Sequence, residues 1–475
     1  MNRKRTFFFF LLPVLLSFLL HLHVFEMDLV GYHVWRQTQT QTVIYKFSFA
    51  DNFILHPQRF DIGSNNGALL YEFPLYQWLI AQVNHIVGYS VSNTRFITFF
   101  FFLLLLGGFY FLLTKFVSKQ VALLSNWCLC FSPVLYYYCV NPLPDILALC
   151  FGIWCLNFFF DFLRRPGIQN FILFCVTLCL ATLVKLPYVL FGAGFAVFVV
   201  NQLKSKNYGK AIFYSAIYSL FLIPPVLWYL HAFPTWQSNK IGLGISANTK
   251  TAMELLDFLQ SNLISSLPEL LVNYGAFPFF MVGVYLFFKQ KKWKGRAYFV
   301  FPFLVCCIYF LYELNMIEKT HDYYLMPFLP FVFLVIALGI NTAYLGKYRK
   351  LSFALICLIP LLAWLRINQR WDLDKPGFNK DYLQYQHQIT LLIPEKERVV
   401  VDFDDSKFIA LYYLKRQGYS LYENEMNPQL LDQFYLNGAK YLITENKKFD
   451  PLQYKGLSFE LLFDKGLKLY KLKTP

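Results

Sequence analysis

The stretch FEMDLVGYHVWRQTQTQT, residues 25–42, follows the first apolar run and begins the first long segment too polar to cross a membrane. This segment continues through LHPQRFDIGSNNG (55–67) and ends on LLYEFPLYQWLIAQVNHIVG (69–88). It gathers carboxylates, imidazoles and arginines within a chain that is 57% hydrophobic and only 15% charged. Because ionisable groups beside a membrane are commonly functional, we expect the chemistry to be concentrated between Glu26 and Gly88.

The remainder of the chain has the composition of a membrane protein. Apolar runs of about 17–25 residues, each able to cross roughly 30 Å of hydrocarbon, recur along it. The net charge of +15 would indicate a nucleic-acid partner in a soluble protein, but here the distribution of the cations matters more, and we expect no nucleic acid. About eleven spans are predicted, at residues 7–20, 94–114, 120–140, 145–163, 170–185, 187–203, 211–230, 270–288, 297–313, 323–343 and 351–367.

The basic residues predict the orientation of these spans. MNRKR precedes the first apolar run and no small-residue cleavage site follows it, which indicates an uncleaved span with its basic end in the cytoplasm. If successive loops lie on alternate sides of the membrane, every basic short loop lies in the cytoplasm, including those around Lys291 and Lys347. The prediction is a multi-pass protein of the cytoplasmic (inner) membrane, with residues 26–92, 141–145, 231–269 and everything after about 367 outside.

Two helices are expected within the first outside loop. Leu75 to Gly88 is too short and too polar to cross, but its apolar residues share one helical face, so it is predicted to lie in the membrane interface. Arg36 to Phe47 is a second helix candidate, although its threonines and valine are weak helix formers.

The chain is divided into a membrane domain, residues 1–367, and a small α/β domain outside the membrane, residues 368–475. RVVVDF (398–403) and KYLIT (440–444) are predicted strands. Further elements are a helix from Asp405/Ser406 to Gly418, a helix over 428–437, and a hairpin over 459–472 turning at Lys465-Gly466. No phosphate-binding glycine loop or metal-ligand spacing occurs in this tail, so it is interpreted as a structural or acceptor-docking cap.

Arg36 and Lys185 are the candidate anion-binding residues. An arginine beside Trp35 at a membrane surface can hold a lipid phosphate in its bidentate fork, or can simply extend its charge to the interface. Lys185 interrupts the apolar run LATLVKLPYVLF (180–191) near the outer surface. A lysine at such depth typically faces a cavity or an anion.

Two acids have both a functional and a structural interpretation. Glu72, in Tyr71-Glu72-Phe73-Pro74, stands near the start of the interfacial helix, where a carboxylate is stabilised by the helix dipole. Asp145 follows Pro144 at the start of a span, where Asp is also a preferred N-cap. HDYYLMPFLP (321–330) adds His321 and Tyr323 at an outer membrane edge, and with Arg36 and Lys185 these residues can surround one phosphate.

The order of these motifs resembles the GT-C glycosyltransferases. The resemblance covers an uncleaved first span, WRQTQT (35–40), YEFPLYQWLIA (71–81), the Pro144-Asp145 turn, Lys185-Leu186-Pro187, HDYYLMPFLP and the α/β tail. More narrowly, it is similar to the bacterial branch related to protein O-mannosyltransferases and to the aminoarabinose transferase of lipid A. Such enzymes take a sugar from a polyprenyl-phosphate carrier and pass it to an acceptor outside the cytoplasmic membrane.

The resemblance also implies roles for single residues. Arg36 becomes a ligand of the carrier phosphate, with Lys185, His321 and Tyr323 as its neighbours. Glu72 matches the acid that opens the second interfacial helix, and Asp145 matches an acid at the same outside turn.

The proton acceptor is not assigned by the resemblance. The superfamily usually places an acid three positions before the arginine, where this chain has His33. Asp28, Glu72 and His33 itself are the alternatives, since imidazole titrates near neutral pH. The expected chemistry is direct displacement at the anomeric carbon with inversion, and it needs no metal or other cofactor because cations can stabilise the departing phosphate.

Two other classes of membrane protein compete with this interpretation. A polysaccharide polymerase or O-antigen ligase would place its large loop late in the membrane domain. A lipid-linked-sugar transporter would have ionisable residues near mid-membrane and internal repeats, whereas most charges here lie at span ends. The sequence does not identify the acceptor, which is an envelope glycan, lipid A or a protein. We expect the protein itself to be surrounded by membrane lipid.

Overall fold

The structure is a computed structural model that describes residues 3–50, 52–63, 65–236, 244–247, 249–289, 295–346, 348–404 and 406–474. Asp405, Lys291 and Lys347 lie outside these ranges, so the expectations for them are not addressed. The chain forms two compact units. The first unit comprises Met1–Glu26, Tyr71–Tyr76 and Thr94–Asn368, and the second comprises Met27–Leu70, Gln77–Asn93 and Gln369–Pro475.

The membrane unit is built from helices, because its long apolar runs can satisfy their backbone polar groups only internally. Its helices are α1 (Arg3–Leu20), α2 (Leu22–Phe25), α5 (Val91–Leu113, which begins in the other unit), α6 (Lys119–Cys130), α7 (Pro133–Tyr138), α8 (Asp145–Arg164), α9 (Ile168–Val184), α10 (Gly194–Lys204), α11 (Tyr208–Ala232), α12 (Ala252–Ser261), α13 (Phe277–Lys289), α14 (Arg296–Tyr312), α15 (Leu314–Ile317), α16 (Leu329–Leu345) and α17 (Arg349–Ile367).

Six helical stretches of the described chain are long and apolar enough to cross a membrane, or seven if one bent pair is a single span. All six coincide closely with predicted spans, and one of them, Leu186–Lys204, combines a 3₁₀ segment (Leu186–Ala193) with α10. Ile168–Val184 and Arg296–Tyr312 are apolar but shorter. The total of eleven spans stays a prediction.

Two predicted spans are interrupted internally by residues that belong to no helix. The span expected over 120–140 is divided into α6 and α7 at Ser132-Pro133, because proline takes the first position of a new helix. The span expected over 270–288 is also interrupted: a π-helix (Asn262–Val272) precedes a break, and α13 then leaves at an angle of 111°. Asn273 adopts φ 77° at this break, and its side-chain amide donates to the carbonyls of Phe131 and Ile359.

Two glycines allow α13 and α16 to approach closely. A Cβ atom on Gly283 would lie 2.0 Å from the carbonyl oxygen of Val335, and one on Gly339 would lie 1.9 Å from that of Phe279. Backbone contact through small residues is a common way for membrane helices to associate, since apolar side chains gain nothing by leaving lipid.

The second unit contains a five-stranded sheet in the order β2-β1-β3-β5-β4. The strands are β1 (Arg398–Asp402), β2 (Gly418–Ser420), β3 (Ala439–Thr444), β4 (Ser458–Lys465) and β5 (Leu467–Lys473). β1 pairs in parallel with β2 and β3, and β5 runs antiparallel to β3 and β4. Gly466, with φ 76°, turns the hairpin as predicted.

The helices of this unit are α3 (Val34–Phe49), α4 (Leu75–Val87, which begins in the membrane unit), α18 (Asp381–Leu392), α19 (Ile409–Leu414) and α20 (Pro428–Leu436). α3 and α4 coincide with the two helices predicted in the first loop. The helix expected to reach Gly418 ends at Leu414, because Lys415 adopts a left-handed conformation and Gly418 begins β2. Neither β2 nor α18 was predicted.

Part of the first loop extends the sheet of the tail. The Ile62 N–H donates to the Gly418 carbonyl, and the Gly418 N–H donates to the carbonyl of Phe60. Between them Asp61 forms an ion pair with Arg59 at 3.3 Å, and burial raises the pKa of its carboxyl group. α3 packs on α19 through one apolar cluster that includes Leu29, Val34 and Tyr413.

Candidate active site

A buried ion pair joins two of the predicted site residues in the membrane unit. Asp145 is the first residue of α8, and Lys185 follows the last residue of α9 in an extended conformation. Lys185 Nζ lies 3.2 Å from Asp145 Oδ2, with the aspartate almost fully buried. Because removing a charge from water is costly, each of these two ions depends on the other for compensation.

Tyr323 lies beside this ion pair. Lys185 Nζ is 5.5 Å from the centroid of the Tyr323 ring, within the range of a cation–π interaction. The His321 ring is 5.9 Å from Tyr323 in an edge-on arrangement. Burial lowers the pKa of His321, so its imidazole is neutral at pH 7. The structure thus brings Asp145, Lys185, His321 and Tyr323 together.

Two further residues complete this side of the site and were not singled out from the sequence. The Tyr138 hydroxyl donates to Asp322 Oδ1 at 2.7 Å, and both side chains are buried. The Tyr138 ring also packs edge-on against Tyr323, with centroids 6.1 Å apart. Asp322 lies inside the HDYYLMPFLP motif, so its neighbours His321 and Tyr323 were the signal that could have identified it.

Glu313 and Tyr309 are a second pair missed by the sequence analysis. Tyr309 lies within electrostatic range of Tyr324, Glu313 and Asp145. The side chain of Glu313 is almost fully buried. The available signal was a single acid at the end of an apolar run, in the sequence YFLYELN (309–315).

Glu72 belongs to the membrane unit and stands three residues before α4. Its segment is fixed by the backbone: the Phe73 N–H donates to the carbonyl of Leu183 at 3.0 Å, two residues before Lys185. The Trp228 indole donates to the carbonyl of Tyr71 at 3.3 Å. These bonds place the half-buried Glu72 segment beside the chain that carries Lys185.

Asp28, His33 and Arg36 belong to the second unit, around the start of α3. Asp28 Oδ1 accepts from the backbone N–H of Leu29 at 2.7 Å and from the Tyr412 hydroxyl at 3.2 Å. His33 adopts a left-handed conformation with φ 56° and precedes the helix. Such a backbone is uncommon outside glycine, although histidine adopts it more readily than most residues, as asparagine and aspartate do.

Arg36 is buried in the first turn of α3, and its guanidinium donates to Gln39 Oε1. The following residues, Gln37 to Thr42, are also buried although all are polar. A helix with this composition buries hydrogen-bonding groups instead of apolar ones, and such groups are costly unless they find partners.

Within the described ranges, no three His, Cys, Asp or Glu side chains are grouped as metal ligands. All ten cysteines are free. The expectation that catalysis needs no metal stays a prediction.

Residues 72–229 match the family model described as dolichyl-phosphate-mannose-protein mannosyltransferase. The whole chain resembles a crystal structure of ArnT from Cupriavidus metallidurans bound to undecaprenyl phosphate, with 12% identity, a TM-score of 0.67, and 99% of this chain and 98% of ArnT covered.

The archaeal oligosaccharyltransferase of Archaeoglobus fulgidus, solved with zinc and sulfate, is also similar, at 13% identity and a TM-score of 0.59, covering 98% of this chain and 73% of that one. No curated protein sequence matches the chain significantly. The resemblance to the GT-C superfamily is confirmed by the family match and the fold.

Proposed function

We propose that this chain, which has the GT-C glycosyltransferase fold, transfers a sugar from a polyprenyl-phosphate carrier to an acceptor hydroxyl outside the cytoplasmic membrane. The observation that carries the proposal is the partly buried Lys185, paired with the buried Asp145 and lying beside the Tyr323 ring. Lys185 lies within the segment that matches the mannosyltransferase family model. The ArnT structure of similar fold was solved with undecaprenyl phosphate.

Cations stabilise the leaving group in this proposal. Negative charge develops on the carrier phosphate as its bond to the sugar breaks, and positive side chains fixed in place stabilise that charge most strongly. Lys185 and Arg36 supply the positive charge, and the guanidinium of Arg36 is suited to bidentate contact with the phosphate. His321 and Tyr323 contact the phosphate as neutral hydrogen-bonding groups.

The reaction is a single displacement with inversion at the anomeric carbon. The acceptor oxygen attacks as the phosphate leaves, and a base removes the acceptor proton. Asp28, Glu72 and His33 remain the candidates from the sequence. The acceptor is a glycan, a lipid or a protein of the cell envelope, and the tail is proposed to serve as a structural cap or to dock that acceptor.

The test is sugar release from radiolabelled polyprenyl-phosphate monosaccharides by the purified protein in lipid, with crude envelope as acceptor. We expect one donor to be consumed, and Arg36→Ala to slow that consumption at least about 100-fold through loss of a charge-stabilising contact. Arg398→Ala is the matched control, because Arg398 is an exposed arginine whose guanidinium donates to the Asn437 carbonyl.

Other outcomes would favour the competing classes. Consumption of a long lipid-linked glycan but of no monosaccharide donor would support a polymerase or ligase. Movement of the lipid-linked sugar across the membrane without its cleavage would support a transporter. An unchanged rate in Arg36→Ala would remove that arginine from the phosphate site.

A further inference from the structure

The carboxylate of Glu313 is buried, and one of its oxygens makes no hydrogen bond with any residue that the structure describes. It stands between α14 and α15, and only 5% of the residue is exposed. The oxygen without a partner among the described residues is Oε2. A buried acid without a partner is costly, so its retention needs an explanation in structure or in chemistry.

Three other acids discussed above already have partners. Asp145 is held by Lys185, and Asp322 accepts from the Tyr138 hydroxyl. In the second unit, Asp28 accepts two hydrogen bonds. A carboxylate stabilised in this way is a weaker base than one whose charge has no such support.

Tyr309 connects Glu313 to the site. It stands one turn before Glu313, whose backbone N–H donates to the Tyr309 carbonyl at 3.0 Å. The same tyrosine is within electrostatic range of Asp145, Tyr323 and Tyr324. Tyr309 therefore links Glu313, through a backbone hydrogen bond and an electrostatic interaction, to the group that contains Asp145 and Tyr323.

We propose that Glu313 is the base of the transfer reaction, a role that rests on the function proposed above. The acceptor oxygen forms a bond to the anomeric carbon, and the bond from that carbon to the phosphate oxygen breaks with its electron pair passing to the phosphate. The acceptor proton passes to the Glu313 carboxylate. No oxidant, reductant or metal is required to balance this step.

Only the ionised carboxylate of Glu313 accepts a proton, so the rate is expected to rise with pH until that group is ionised. Among the neighbouring groups, burial lowers the pKa of the His321 imidazole. The remaining charged groups of the elements around this turn are Asp145 with Lys185, Asp322, Glu254, Arg296, Glu318 with Lys250, and Asp257 with Lys319.

The experiment measures sugar transfer from pH 5.5 to 8.5 for the wild type, Glu313→Gln, Glu313→Asp and Glu318→Gln in the full-length protein. Glu318→Gln is the control, since this acid is more exposed and pairs with Lys250 at 2.8 Å. We expect Glu313→Gln to lower kcat about 100-fold or more and to abolish the rise of the rate with pH. Binding of the radiolabelled donor should change less than about threefold, and Glu313→Asp should recover part of the rate.

The other results would overturn the inference. If the wild type transfers sugar and Glu313→Gln keeps both its rate and its pH profile, Glu313 is not the base although the proposed function stands. If the pH dependence is lost in Asp28→Asn, Glu72→Gln or His33→Gln instead, one of those residues is the base. If the wild type engages no donor, the proposed function fails and the inference falls with it.

Discussion

The ion pair between Lys185 and Asp145 shows how one residue's role depends on a partner far away in sequence. The sequence indicated that Lys185 interrupts an apolar run and that Asp145 begins a span, but the two are separated by the whole of α8 and α9. Their contact could not be predicted, because the geometry of a helix hairpin decides which residues at its open end meet. The aspartate that the sequence also allowed as an N-cap is the first residue of α8, and it forms an ion pair with the partly buried Lys185.

We predict that Lys185→Met destabilises the protein by about 3–5 kcal/mol, because it leaves the Asp145 charge buried without compensation. The double variant Lys185→Met with Asp145→Leu should recover most of that loss. Thermal unfolding in detergent is the measurement, and it does not depend on activity. Equal destabilisation by the single and double variants would mean that the pair contributes packing and not charge compensation.

Glu313 gives a second prediction at the residue scale, concerning stability. Its side chain is buried, and its Oε2 has no hydrogen-bond partner among the described residues, so the ionised carboxylate is costly to the native state. Glu313→Gln should therefore raise the Tm relative to wild type at alkaline pH more than at acidic pH. An identical shift at both would contradict burial of the charge.

At the scale of elements, sequence periodicity predicted helices and strands better than it predicted their interruptions. α3 and α4 were anticipated from composition and from an apolar face. β2 was missed because Gly418-Tyr419-Ser420 is only three residues long and begins with a glycine, which normally indicates a turn. The bend after Val272 was missed because apolar residues stand on both sides of it, although the break itself, residues 273–276, contains Asn273 and Gly275.

Glycine at the contact between α13 and α16 is the basis of a further prediction. Gly339→Ala should destabilise the membrane unit by forcing the helices apart, since its Cβ would meet the Phe279 carbonyl at 1.9 Å. Gly107→Ala in α5 is the matched control, because its Cβ would meet nothing closer than 4.0 Å. Each variant adds one methyl group to a membrane helix, so the two Tm values from thermal unfolding can be compared directly. An equal decrease in Tm would contradict the inference that the helices pack closely at Gly339.

At the scale of the whole molecule, the order of motifs along the chain identified the fold that the comparisons confirmed. The single motifs are too short to do so individually. The candidate site was predicted less completely: Lys185, Asp145, His321 and Tyr323 are brought together, whereas Tyr138, Asp322, Tyr309 and Glu313 entered only with the structure. Buried polar residues of that kind leave no periodic pattern in a sequence.

The orientation of the molecule is the corresponding prediction. The basic short loops predict a cytoplasmic N-terminus and a tail outside the membrane. Alkaline phosphatase fused after the tail should therefore be active in a bacterial host, because this enzyme folds only where disulfides form. A fusion at Lys206, between α10 and α11, should be inactive, and the reverse pattern would invert the predicted topology.

The pairing of Ile62 with Gly418 has a consequence for the order of folding events. The two residues are roughly 350 positions apart, and a ribosome adds about 5–20 residues per second. The first-loop segment is thus synthesised about 20–70 s before the strand that it pairs with. Its final structure is acquired at the end of translation, so a chain terminated after α17 should retain its membrane helices but leave this early segment open to proteases.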